Sequence, residues 1–288
     1  MRETLRTWLE GVLGTELPDW LVPNQAMLIA VGFTASAIAA VILARRARLP
    51  MRNVALGLSA CFVGAVVGSK LMGSVMRPDI WLHDWTALFD PRRGGATSFG
   101  ALLGGCLGFW LYCWRARQDL WTYADAMVPA AGLGLFFARI GCFVHGCDFG
   151  RITSLPWGVR YPADSMAWNT QLDEGFIGPH QLLSLPVQPF QLMLAVFDLG
   201  IFVAFLLMPN LGRGRGPGHR ALIAGFVYFG GRFVLEFMRS PWSAAMVGFL
   251  NVAQWMALLS MVVLFALWRA RGQSASGVAP SQAVEAES

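Results

Sequence analysis

Seven apolar stretches constrain this chain more than any other feature of its sequence, at about residues 26–44, 54–75, 98–114, 121–146, 187–208, 220–238 and 248–268. Each is near the ~20 residues that an α-helix needs to cross the hydrocarbon core of a bilayer. Inside lipid every backbone N–H and C=O must be satisfied internally, so only helices and closed barrels can span. Apolar runs of this length predict helices. Composition agrees: 56% of the 288 residues are hydrophobic and only 14% are charged, against about 25% charged in soluble domains. The expected fold class is an all-α polytopic membrane protein with seven transmembrane helices and a small excursion between spans four and five.

The formal charge of +5 does not point to nucleic acid, because the cations sit in short clusters between the apolar runs. Arg45, Arg46, Arg48 and Arg52 follow the first run, Arg115 and Arg117 the third, Arg213, Arg215 and Arg220 the fifth, Arg269 and Arg271 the seventh. The opposite connections mix Arg77, Arg92 and Arg93 with Asp79, Asp84 and Asp90. Cationic loops stay on the cytoplasmic side, so the expected orientation is N-terminus outside and C-terminus inside.

Residues 1–25 lack the uninterrupted apolar core of a cleavable leader. Instead Leu5, Trp8, Leu9, Val12 and Leu13 follow helical spacing, which fits a helix at the outer interface or one packed on the bundle. Residues 26–270 form the membrane domain, with a long outer loop at 150–186, and 271–288 is expected to be a disordered cytoplasmic tail. Gly100, Gly104 and Gly108 recur every fourth position in the third run, as do Gly134, Ala138, Cys142 and Gly146 in the fourth. Such rows allow close helix contact. The five cysteines make no disulfide framework, and no metal site is expected: Cys142, His145 and Cys147 do not share one face of a continuing helix.

Charges within the apolar runs carry the functional signal. An arginine at the centre of a spanning helix costs roughly 2.5–3.5 kcal/mol on insertion scales. Arg139 stands about 18 residues, or ~27 Å, along the fourth run. In the sixth, "YFGGRFVLEFMR" puts Tyr228, Arg232, Glu236 and Arg239 within an arc of roughly 80° if the helix continues throughout. Arg139, Arg232, Arg239 and Lys70 outnumber Glu236 and the boundary residue Asp148, with Asp198 as a further candidate partner. Surplus positive charge in a low-dielectric site invites an anion, and arginine binds phosphate with two parallel N–H bonds.

These motifs resemble the prolipoprotein diacylglyceryl transferase family. The blocks that carry the resemblance are "GLGLFFARIGCFVHGCDFGR" and "YFGGRFVLEFMR", supported by "GGATSFGALLGG", "VGSKLMG" and "NVAQWMALLSM", across about residues 26–270. The resemblance implies that a diacylglyceryl group moves from phosphatidylglycerol to the lipobox cysteine of a prolipoprotein signal peptide. The site would be the periplasmic face of a bacterial inner membrane, with no cofactor. It implies Arg139 and Arg232 as the phosphate-handling catalytic pair. Glu236, Arg239, Tyr228, Gly150, Gln188 and Lys70 are the other substrate-site candidates.

The chain also departs from the family pattern. Phe99 stands where a histidine is usual, "LPVQPFQ" replaces most of a histidine–proline block, Gln25 takes the place of a tyrosine and Cys142 that of an asparagine. His145 is the nearest substitute base, since histidine titrates near neutrality; a histidine hydrogen-bonded at a helix end is the other reading. The alternatives to an active transferase are a phospholipid-binding paralogue and a transferase with another acceptor.

Overall fold

The computed structural model describes residues 22–76, 97–211 and 216–276, together with Arg6, Glu10, Leu82, Asp84 and Thr86; the side chains of Ser98, Phe99 and 272–276 are not described. Most of the amphipathic segment expected at 1–25, most of the 75–97 excursion and the tail beyond 276 lie outside the described residues.

The helices follow the apolar runs: α1 (Gln25–Arg46), α2 (Met51–Met76), α3 (Ser98–Arg115), α4 (Leu120–His145), the short α5 (Met166–Asp173), α6 (Phe190–Leu207), α7 (His219–Leu235) and α8 (Val252–Ser276). Among the described residues, six are long and apolar enough to cross a membrane: α1, α2, α4, α6, α7 with its following turn, and α8. The chain is a multi-pass membrane protein. Polar side chains set several helix starts. Asn24 accepts from the Met27 N–H at 2.8 Å, and Thr97 from that of Gly100 at 3.2 Å. Asn251 and Gln254 exchange side-chain to backbone hydrogen bonds at 2.9 and 3.0 Å. The last pair is a capping box, and it starts α8 four residues later than the apolar run suggests. Residues 246–251 instead form a hairpin of β1 (Met246–Val247) and β2 (Leu250–Asn251), turned by Gly248 at φ +64°. Apart from this two-residue pairing the architecture is helical, as expected.

The chain divides into two compact units, one of residues 37–128 and one of 1–36 with 129–288. In the first, the small-residue row does what its spacing predicts. A Cβ built on Gly104 would lie 2.1 Å from the Gly64 carbonyl oxygen, and one on Gly68 2.3 Å from that of Gly100. The α2 and α3 backbones touch directly, so no side chain fits between them. At one end Asn53 donates to Gln118 at 2.8 Å and accepts from the Tyr112 hydroxyl at 3.2 Å.

In the second unit the connection between α4 and α6 is a folded element with its own core. Phe149, Tyr161, Ala167 and Val187 are buried together, with Phe143 and Val159 packed on them. The stretch "LPWGVRYP", expected as a short strand, makes isolated bridges: Val159 with Val187 and Pro162 with Leu183. Gly150 bridges Arg239, and its N–H bonds the Gln188 carbonyl at 3.0 Å. The segment leaving α4 thus lies between those entering α6 and leaving α7. The apolar run expected from 187 begins as helix only at Phe190, because Val187 and Gln188 are committed to these backbone bonds.

Candidate active site

Two helix ends build the site. Helix α4 stops at His145 because Gly146 takes φ +82°, and Gly146 donates back to the Cys142 carbonyl at 2.9 Å. A left-handed glycine is a common helix terminator. Asp148 follows at φ +54°, a conformation that costs a non-glycine residue energy and tends to occur where the side chain is needed. Helix α7 stops at Leu235, a single 3₁₀ turn covers Glu236–Met238, and Arg239 is extended at φ −70°, ψ 147°. The four-residue stripe expected on one continuous helix is therefore broken. Only Tyr228 and Arg232 lie on α7, and Arg239 is placed by its strand-like bridge to Gly150.

The charged groups interlock. Glu236, fully buried, sits 2.9 Å from both Arg232 and Arg239. Arg239 also pairs with Asp148 and donates to the Ser243 carbonyl at 2.7 Å. Arg139 lies 3.8 Å from Asp148 and 3.8 Å from Asp198 of α6. Asp148 thus pairs across 91 residues with Arg239 rather than with its neighbour Arg151. Arg232 is 8% exposed and its guanidinium lies over the Phe190 ring at 5.6 Å. Tyr228 is close enough to interact electrostatically with both Arg139 and Arg232.

Three arginines meet three carboxylates here, so the surplus of cations expected from the sequence is not present among these residues. What remains is a deficit of hydrogen bonds. Nη1 of Arg232, Nε of Arg139 and both carboxylate oxygens of Asp198 are buried without a hydrogen-bond partner among the described residues. At 3.8 Å the Arg139 pairs are Coulombic and satisfy no N–H. Oε2 of Glu236 is close to Arg232 but off-axis, a charge contact rather than a hydrogen bond. Arg139 Nε faces an Asp198 oxygen too far away to bond it, so buried donors on two helices are left without a hydrogen bond among the described residues, and groups of that kind are uncommon unless a ligand takes them.

The other candidates divide. Gly150 is at the site through its backbone: a Cβ there would meet the Gln188 carbonyl oxygen at 2.6 Å. Gln188 lies alongside, with its Oε1 buried and without a hydrogen-bond partner among the described residues. His145 is exposed at the last position of α4, and no hydrogen bond or ion pair ties it to the cluster among the described residues. Lys70 is partly buried on α2, in the other unit. Sequence reasoning passes over Gln191, which is fully buried and donates to the Cys147 carbonyl at 2.6 Å and the Tyr161 hydroxyl at 3.1 Å. The one clue to it is a glutamine at the second position of an otherwise apolar helix.

The turn at Gly146 also overturns the expectation that Cys142 and Cys147 face apart. Their sulfurs and an Asp148 carboxylate oxygen lie within 4.8 Å of one another. Hydrogen bonding to Cys142, then burial, holds the Cys147 thiol far above its ordinary range. A cavity of about 380 Å³ opens beside the group, lined by Asp148, Phe149, Thr170, Trp242 and Ser243 among others.

The class of protein is thus a multi-pass membrane protein whose helix ends enclose a buried arginine–carboxylate cluster. The family model for prolipoprotein diacylglyceryl transferase matches residues 16–270, and the chain belongs to that family. It is 26% identical over 220 residues to phosphatidylglycerol–prolipoprotein diacylglyceryl transferase 2 of Clostridium perfringens, covering 75% of this chain and 78% of that one. It is 30% identical to the corresponding protein of Cupriavidus pinatubonensis over 75% and 73% of the two chains. It is 32% identical to that of Nitratidesulfovibrio vulgaris over 62% and 60%.

Proposed function

We propose that this protein transfers the diacylglyceryl group of phosphatidylglycerol to the lipobox cysteine thiol of a prolipoprotein signal peptide. The sulfur displaces the phosphate from the glyceryl carbon: a C–S bond forms, the C–O bond breaks, and the electron pair leaves on the glycerol phosphate oxygen. The observation that carries this reading is the pair of buried guanidinium donors, Nη1 of Arg232 and Nε of Arg139, without hydrogen-bond partners among the described residues. A phosphate offers several acceptor oxygens to such donors, and its charge grows as the bond breaks, so fixed cations favour the transition state over the ground state. Arg232 and Arg139 are the catalytic residues on this reading. Glu236 holds Arg232, Asp148 and Asp198 hold Arg139, and Arg239 joins Glu236 to Asp148; Tyr228 and Gln188 line the substrate, and Gly150 permits the close approach.

The acceptor must lose its proton, since a thiol of pKa about 8.5 is only a few per cent ionised at neutral pH. Although the cluster as a whole is balanced, a guanidinium directly beside the thiol favours the thiolate locally; His145, exposed and without a bond to the cluster among the described residues, is the weaker candidate. The site faces the periplasm on this reading, with α3 as a seventh span, the N-terminus outside and the C-terminus in the cytoplasm of the bacterial cell. The loop arginines support this orientation.

The test is a full-length preparation incubated with phosphatidylglycerol and a lipobox peptide. The peptide should gain the mass of one diacylglyceryl group. Arg139→Lys and Arg232→Lys keep the charge but lose the planar fork, and each should lower turnover by about 100-fold or more. Unchanged turnover in both variants would remove the assignment. Phospholipid binding without any peptide product would instead favour a non-catalytic paralogue.

A further inference from the structure

Two thiols and a carboxylate converge where α4 ends, and phosphate handling uses only the carboxylate. Sγ of Cys142, Sγ of Cys147 and an oxygen of Asp148 lie within 4.8 Å of one another, each partly buried. Both cysteines are free. The positive φ of Gly146 and Asp148 brings all three ligands to one point. On the far side, Nε2 of Gln25 lies 3.8 Å from each sulfur and donates to both. A donor shared by two sulfurs fixes their orientation.

We propose that Cys142, Cys147 and Asp148 bind a thiophilic divalent cation of the zinc class, whose remaining coordination position takes the acceptor thiol. The set has the make-up of a catalytic site: three protein ligands with one position open, where structural zinc sites are closed by four. Sulfur donors select such a cation over magnesium or calcium. Ligand atoms around tetrahedral zinc stand about 3.8 Å apart, so a shift of about 1 Å closes the cluster. Charge also closes. Binding expels one proton from each thiol to water, and two thiolates match the two charges of the ion. The balance of three arginines and three carboxylates is left as it was.

The inference rests on the transferase reading and supplies the step that the missing histidine leaves open. The acceptor R–SH replaces water on the ion and its proton leaves to bulk water, because a coordinated thiol is deprotonated outright. The electron pair of the bound sulfur forms the bond to the glyceryl carbon, and the phosphate departs as above. Arg139 and Arg239 flank Asp148 and offset the negative charge that the additional thiolate brings.

The full-length protein, reduced and stripped with chelator in detergent, is titrated with Co²⁺. One equivalent should develop the thiolate-to-cobalt charge-transfer band, and Zn²⁺ should displace it. Cys142→Ser and Cys147→Ser should each lose the band, and Asp148→Asn should weaken cobalt affinity at least about tenfold. A lipobox peptide should alter the cobalt ligand-field bands, and its serine counterpart should leave them unchanged. Arg232→Lys should lose transfer yet keep the band, which separates the ion site from the lipid chemistry. No band in the wild-type protein, or an unchanged one in Cys142→Ser, would overturn the proposal. So would a Cys142–Cys147 disulfide in freshly isolated membranes, or full transfer by chelator-treated Cys142→Ser; that last result would leave the transferase reading standing.

Discussion

Residue by residue, the site depends on positions where one atom more would not fit and one charge fewer would not balance. Gly150 is the clearest case: a methyl group there meets the Gln188 carbonyl oxygen at 2.6 Å and its Cβ at 2.8 Å. Neither can retreat without breaking the bonds that set Arg239 against Asp148. Gly150→Ala should therefore cost about 1–3 kcal/mol of stability, and transfer should fall further than the lowered melting temperature alone accounts for, as read in the peptide assay. His145 sits at the opposite extreme. Exposed and unconnected to the arginine cluster, it should tolerate His145→Ala with most activity kept. A histidine acting as base would give the pH–rate profile an acidic limb near pH 6–7. Loss of such a limb in the alanine variant, or complete loss of turnover with the protein still folded, would make His145 the base.

At the scale of elements, the decisive contacts are helix against helix and cap against helix. The α2–α3 pair places carbonyl oxygens where a side chain would begin, 2.1 Å from a Cβ at Gly104. Gly104→Val should force the two helices apart and lower the melting temperature in detergent, whereas the same change at Gly200, which has nothing within 4 Å, should not add a clash. The capping box of α8 is a smaller effect. Asn251 is 5% exposed, so Asn251→Ala leaves the Gln254 N–H without its acceptor and should cost about 1 kcal/mol. The same melting measurement reads both. Legibility differed between these two elements. The glycine row was visible in the sequence because a period of four is local. The start of α8 was misplaced because hydropathy does not register a turn, and residues 248–251 are apolar enough to extend the run.

For the whole molecule, the proposed topology has one direct check. Ala275→Cys, read as the increment over the parent protein, should resist an impermeant thiol reagent from outside and react after lysis; outside labelling would reverse the orientation. The sequence by itself determined that this is a multi-pass helical protein, because spanning depends on the length and polarity of each run taken alone. It also marked Arg139, Arg232, Glu236 and Arg239, since a charge in an apolar run is conspicuous wherever it finally packs. Which charges pair was not legible. Nothing local marks the partner of Asp148, yet it joins Arg239 across 91 residues. The polar stripe counted on one helix was in truth divided between α7 and a strand-like bridge. The turn at Gly146 that folds Cys147 back towards Cys142 was hidden for the same reason. Helical periodicity is a property of neighbours, while the end of a helix and the partner of a charge are settled by whichever distant backbone supplies the missing hydrogen bonds. In this protein that backbone is the extended pairing of Gly150 with Gln188 and Arg239, which only the tertiary structure decided.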